Sequence, residues 1–199
     1  VGLNYIAHAA EGGQDVPDKP NFFGKVGSIV IGTDEAILLP DGVGRVDYEL
    51  ELAVVISKKA RNIDPDHFEK YVAGYTVFND VTARNLQKAA KTAGRPWFLS
   101  KNMDTFGPMG PCLVTPKELP YPFDLDTELR LNGEVKQKSN TGNMVFKIPQ
   151  LLSIISKYLT LYPGDLISTG TSEGVGGIKR GDLIEAEIEK IGVLHNKVE

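Results

Sequence analysis

A single cysteine, Cys112, rules out an internal disulfide and any zinc site built on several thiolates. No apolar run approaches the roughly 20 residues that a membrane-spanning helix needs. The formal net charge is -4, so there is no basic footprint for nucleic acid. The N-terminal stretch lacks the basic-plus-apolar pattern of a secretory signal. A cytoplasmic protein with no nucleic-acid and no membrane partner is the plain expectation. Histidine is scarce as well: His8, His67 and His195 are the only three, which narrows the search for an imidazole base.

What is present suffices for a core. Hydrophobic residues make up 41% of the 199, and one domain over residues 1–199 is expected. Val1 to Tyr5 reads as the end of a strand with no initiator Met, so a short preceding segment is expected. Tyr5 to Glu11 reads as a short helix, and "GGQDVPDKP" after it as a loop that can act as a lid. "SIVIG", "AILLP", "DYELELAVVIS" and "YTVFND" read as strands. "DPDHFEKYVAG" predicts a helix with Asp64 as N-cap, Pro65 at the first position and Gly74 as its stop. "VTARNLQKAAKTAG" predicts a second helix ending at Gly94. "GPCLVT", "ELRLNGEV" and "DLIEAEIEKIGVLHNKV" carry strand patterns, with Asn132-Gly133 as a hairpin turn. "IPQLLSIISKYLTL" is amphipathic, with Leu151, Leu152, Ile155 and Leu159 at helical spacing. "YPGDLISTGT" follows it as turn plus strand. Many strands, few helices and no regular βαβ alternation predict a strand-rich α+β fold on antiparallel or mixed sheet.

The stretch "RVDYELELAVVI" sets Asp47, Glu49 and Glu51 on alternate positions, hence on one face of a strand. Two readings stay open. The acids are the wet face of an edge strand, or they surround a cation. Asp80, at the end of the next strand, favours the second, because Glu49, Glu51 and Asp80 would make an all-oxygen site suited to Mg²⁺, Mn²⁺ or Ca²⁺. Asp80 can equally serve as a plain helix N-cap. Arg84 and Gln87 share one helix face and suit a substrate carboxylate, or form a solvated face. Lys101 is a further cation in a loop of turn formers, where solvation is the ordinary fate. His8 and Glu11, at i and i+3, can pair as a general base and its orienter, or sit exposed at a helix end. The glycine-rich "STGTSEGVGG" lacks the GK[ST] ending of a phosphate loop. Its amides, with Thr169 and Thr171, either hold an oxyanion or make a tight connection between strands.

Six segments in order, "VGLNYIAHAAE", "VDYELELAVVI", "GYTVFNDVTARNLQ", "SKNMDTFGPMGP", "LNGEVKQKSNTGNMVF" and "LYPGDLISTGTSEGVG", resemble the fumarylacetoacetate hydrolase family. The resemblance covers nearly the whole chain. It implies a mixed β-sandwich roll with a few peripheral helices, and a homodimer. It also implies that Glu49, Glu51 and Asp80 hold Mg²⁺ or Mn²⁺, with Asp47 beside them. His8 and Glu11 become the water-activating dyad on a lid segment. Arg84, Gln87 and Thr171 contact a keto acid substrate, and Lys101 stabilises developing negative charge. The sequence departs from the family where Thr171 is followed by Ser172 in place of proline, and where Lys25 is followed by Val26-Gly27. Members also carry some tens of residues before the point where this chain starts.

The activity so implied is metal-dependent C–C bond cleavage of a 1,3-dicarbonyl acid, such as acylpyruvate hydrolysis or oxaloacetate decarboxylation. Isomerisation of the 2-hydroxyhepta-2,4-diene-1,7-dioate type, or hydrolysis of a diketo sugar acid, are the alternatives on the same scaffold. Outside enzymes, a metal-stabilised binding module and a self-associating structural protein compete with it.

Overall fold

The computed structural model describes all 199 residues. In chain order its regular elements are α1 (Ile6–Glu11), β1 (Val30–Ile31), β2 (Val46–Tyr48), β3 (Leu50–Ile56), β4 (Val72–Asn79), β5 (Thr82–Ala83), α2 (Arg84–Thr92) and β6 (Gly107–Val114). They continue with β7 (Asp126–Leu131), β8 (Glu134–Asn140), α3 (Ile148–Tyr158), β9 (Leu166–Thr171), β10 (Gly176–Ile178), β11 (Leu183–Ile188) and β12 (Gly192–Lys197). The fold is α+β and strand-rich, as the patterns predict.

Three sheets carry it. A five-stranded sheet runs β1-β6-β4-β3-β9, a three-stranded one β10-β2-β5, and a four-stranded one β12-β11-β7-β8. Only β1 and β6 pair in parallel, so the sheet system is mixed. β3 lies in the interior of the large sheet, and its run Leu50–Ile56 is almost wholly buried, as a strand covered on both faces requires. β7 and β8 form the expected hairpin: Asn132 and Gly133 both take positive φ, 54° and 80°, as a two-residue turn demands. The core joins 32 buried residues drawn from all three sheets and α3, among them Leu52, Tyr75, Leu129, Leu152 and Ile184.

Five local expectations differ from what forms. "AILLP" makes no strand; Ile37 alone forms a parallel bridge to Val198, and Pro40 has no N–H to extend a ladder. "DPDHFEKYVAG" is a kinked 3₁₀ segment, Pro65–Tyr71, and not an α-helix. Asp64 caps it as predicted, but its carboxylate draws in both Asp66 N and His67 Nδ1 at 3.0 Å, and His67 takes a non-helical backbone. Gly74 does not stop that helix; it lies within β4, where the Leu113 side chain and Val114 carbonyl leave no room for a Cβ. Leu159 follows α3 and is exposed, so the buried stripe of that helix is Ile148, Leu151 and Leu152. The "VTA" start of the second predicted helix is partly strand, since Thr82 and Ala83 pair with Asp47 and Val46.

Candidate active site

The acidic stretch is not one strand. β2 belongs to the three-stranded sheet and β3 to the five-stranded sheet, and the chain passes from one to the other at Glu49. Two side chains bridge the break. Asn79 Oδ1 accepts the Glu49 amide at 2.9 Å, and Gln137 Oε1 accepts the Leu50 amide at 3.0 Å. The Asp80 amide donates to the Glu49 carbonyl at 2.8 Å, which brings the end of β4 against the break. Asp47, Glu49 and Glu51 still line one cavity of about 650 Å³, as alternation predicts. They are 1%, 5% and 2% exposed, which overturns the wet-edge reading. Glu49, Glu51 and Asp80 each offer a carboxylate oxygen within 4.8 Å of the others. Asp80 is no N-cap; α2 begins after Ala83.

Buried carboxylates this close require compensation. Lys101 supplies much of it. Its ammonium is buried and lies 2.7 Å from Glu49 Oε2 and 2.5 Å from Asp80 Oδ2, so the solvated-loop reading fails. Lys25 donates to Asp80 Oδ1 at 2.6 Å and to the Phe106 carbonyl at 2.8 Å. Burial pushes Asp80 up, yet Lys101 and Lys25 outweigh it and hold the carboxyl at about 2. Glu49 is likewise lowered, with Lys101 and Arg84 overcoming its burial. Glu51 behaves oppositely. Burial raises it to about 7, against the pull of the Val1 ammonium and with the push of Asp80 and Glu49. No lysine or arginine pairs with it; its Oε2 accepts from Ser168 Oγ and, at 2.7 Å, from the Gly170 amide. Hard oxygen donors in a buried trio, one of them without a cation partner, fit a divalent ion such as Mg²⁺ or Mn²⁺.

Arg84 and Gln87 are brought together as the helical spacing predicts, Nη1 to Oε1 at 2.9 Å. The rest of the guanidinium is committed to the acids: Nε donates to Asp47 Oδ2 at 2.7 Å and Nη2 to Glu49 Oε1. Arg45 Nε takes the other Asp47 oxygen at 2.5 Å. Asp47 thus stands outside the trio and anchors Arg84 beside it. His8 Nδ1 lies 3.6 Å from Glu11 Oε2, and both residues line the cavity. Glu11 also accepts the Gly174 amide at 3.2 Å, tying α1 to the β9–β10 turn. "STGTSEGVGG" is that tight connection, so the plain reading of the segment holds. Thr171 lines the cavity, and its Oγ1 accepts from Gln137 Nε2 at 2.9 Å.

Sequence reasoning missed the roles of Lys25, Asn79 and Gln137. Lys25 had a signal: it is the one charge in the otherwise apolar "FFGKVGSIVI". Asn79 and Gln137 had none, because their partners are backbone amides more than twenty residues away.

The sequence profile described as fumarylacetoacetate (FAA) hydrolase C-terminal matches residues 1–199. The chain belongs to this family. Within it, the mitochondrial oxaloacetate tautomerase of Rattus norvegicus is 44% identical over 205 residues, covering all of this chain and 64% of the tautomerase. The fumarylpyruvate hydrolase of Pseudomonas aeruginosa, crystallised with Mn²⁺ and pyruvate, superposes with a TM-score of 0.94 at 34% identity. That superposition covers 99% of this chain and 86% of the hydrolase. The 2-hydroxyhepta-2,4-diene-1,7-dioate isomerase of Mycobacterium marinum gives 0.87 at 37% identity, over all of this chain and 72% of the isomerase. This family member is therefore an enzyme related to hydrolases, isomerases and tautomerases of keto acids.

Proposed function

We propose that this enzyme cleaves a C–C bond in a 1,3-dicarbonyl acid of the acylpyruvate type, using a divalent ion held by Glu49, Glu51 and Asp80. The observation that carries this reading is the buried carboxylate trio, two of whose members, Glu49 and Glu51, line one cavity with the His8–Glu11 pair. When bound, Mg²⁺ or Mn²⁺ supplies Lewis-acid polarisation of a keto oxygen and stabilises enolate charge. His8 takes a proton from water, and Glu11 orients the imidazole and stabilises its charged form. The hydroxide so formed adds to the distal carbonyl carbon. The bond from that carbon to the central methylene breaks, and its electron pair passes to the pyruvate fragment as an enolate. Lys101 adds a fixed positive charge on the side where that charge develops. Arg84, Gln87 and Thr171 orient the keto acid end.

Residues 1–199 act in this reading as one catalytic domain, supported by a core that draws on all three sheets. Homodimer assembly and a cytoplasmic setting belong to the same reading and are carried by the resemblance and the composition. No helix is long and apolar enough to cross a membrane.

A second reading, tautomerisation or decarboxylation of oxaloacetate, is favoured by the 44% identity to the rat tautomerase. It needs the carboxylate trio and not a water nucleophile. One experiment separates the two. Acetylpyruvate and oxaloacetate are each supplied with Mg²⁺, Mn²⁺ or a chelator, and pyruvate release and enol absorbance are followed. Hydrolysis predicts ion-dependent pyruvate and acetate from acetylpyruvate. Accelerated enol–keto exchange of oxaloacetate without acetylpyruvate cleavage overturns the first reading in favour of the second. No ion-dependent change in either compound overturns both.

A further inference from the structure

β8 is exposed or half-buried along its length, with one exception. Gln137 is its only buried residue, 1% exposed, between Lys136 and Lys138. A bulge aims it inward: Leu129 pairs with Gln137 and Arg130 with Val135, which leaves Lys136 without a partner across the ladder. A polar side chain buried this fully must find its hydrogen-bond partners inside the molecule.

The carboxamide holds two structures at once. Oε1 accepts the amide of Leu50, the residue between Glu49 and Glu51. Nε2 faces the turn that follows β9: Thr171 Oγ1 at 2.9 Å, the Ser172 carbonyl at 3.1 Å and the Glu173 carbonyl at 3.3 Å. Gly174, next in that turn, takes φ 87°, and a Cβ there would stand 2.1 Å from the Lys136 carbonyl oxygen. Bulge and turn are thus in direct contact. Gly174 also reaches the imidazole pair. Its amide donates to both Glu11 oxygens, at 3.2 and 3.3 Å, and its carbonyl accepts the Tyr48 hydroxyl at 3.0 Å. A connected path therefore runs from the backbone between Glu49 and Glu51, through Gln137 and the turn, to Glu11 and His8.

We propose that Gln137 is a positioning residue: it fixes Glu11, and through it the His8 imidazole, relative to the carboxylate trio. This rests on the reading that His8 activates water for attack on a substrate held at the trio. Gln137 does not line the cavity. It acts on the spacing between the two halves of the site, and a misplacement of about 1 Å there can lower turnover about 10²-fold.

Gln137→Glu separates the two ends of the side chain. The carboxylate still accepts the Leu50 amide but has no N–H for the turn carbonyls, so the turn side alone is lost. The readout is kcat for acetylpyruvate in the unaltered enzyme, Gln137→Glu, His8→Ala and the double variant. Acting through His8, the substitution should lower kcat about 10–100-fold when His8 is present and by about twofold or less when it is absent. An equal loss in both backgrounds, or none in either, overturns the proposal. Amide hydrogen exchange gives a second readout that needs no turnover. Gln137→Glu should speed exchange in residues 172–175 and in α1 together, with β3 still protected; unchanged exchange in α1 overturns the proposal. If Gln137→Glu does not fold, the uncharged Gln137→Met, of similar length, takes its place in both experiments. If the unaltered enzyme leaves acetylpyruvate intact, the cleavage reading fails by itself, and hydrogen exchange decides the role of Gln137.

Discussion

At the scale of single residues, burial sets what each charge can do. Lys101 is held between Glu49 and Asp80 with almost no contact with water. Lys101→Met removes a cation and leaves two buried carboxylates facing each other. Such a loss costs about 3–5 kcal/mol, and urea unfolding of the chelator-treated variant is expected to show it. Added Mn²⁺ should recover part of that stability, since it restores positive charge among the same oxygens. His8→Ala has a different signature. It leaves the carboxylate trio intact, so Mn²⁺ affinity should stay within a factor of two, while acylpyruvate hydrolysis falls by about 10²–10⁴-fold. At the proposed ion site, Glu51 would make binding depend on pH. Its carboxyl, raised to about 7, must lose its proton to coordinate. Affinity for Mn²⁺ measured by calorimetry should therefore weaken by up to about tenfold for each pH unit below 7.

At the scale of elements, the contacts that organise the site are those between sheets. Gly74 in β4 shows how little space they leave. A Cβ there would stand 2.6 Å from Leu113 Cγ and 2.7 Å from the Val114 carbonyl oxygen. Gly74→Ala should cost about 1–3 kcal/mol as overpacking, read from the midpoint of denaturant unfolding at unchanged slope. The same position shows what a sequence pattern can convey. A glycine after a helix-like run reads as a stop, because local signals cannot report that a neighbouring strand lies on top of it. The acidic alternation at Asp47, Glu49 and Glu51 was legible because period-two placement depends on the local backbone alone. The helical pairing of Arg84 with Gln87 was legible for the same reason, whereas the join to Asp80 is a contact between two strands, which the residues alone leave open against an N-cap role and only the resemblance implies. The break of the strand at Glu49 was not. It is made by Asn79 and Gln137 side chains that arrive from β4 and β8, and nothing near Glu49 in the chain announces them. Burial of Lys101 was equally hidden, since a lysine among turn formers looks the same whether its loop faces water or a pair of carboxylates.

At the scale of the whole molecule, the proposed ion site would link binding to folding. In the ion-free protein, the raised carboxyl of Glu51 holds its proton more tightly than it does in the unfolded chain. Its contribution to stability is fully present below pH 4.5 and is lost as pH rises through 7, on the order of 3 kcal/mol. Mn²⁺ binding at the proposed site is expected to strengthen over the same interval. The rise in melting temperature on adding Mn²⁺ should accordingly be small at pH 5 and large at pH 8. At a hundred times its dissociation constant the ion contributes about 2.7 kcal/mol, or roughly 5–10 °C for a chain of this size. Equal shifts at both pH values would contradict the link. The chain crosses between two sheets at Glu49, and this placement has a mechanical consequence. Of the proposed ligands, Glu49 sits on the seam between panels and Asp80 is hydrogen-bonded to it there, while Glu51 belongs to β3 inside the larger panel. Each panel can keep its own ladder while the seam widens by a fraction of an ångström. An ion clasped there acts as a rivet across the joint, so larger and smaller ions would set the panels at slightly different openings.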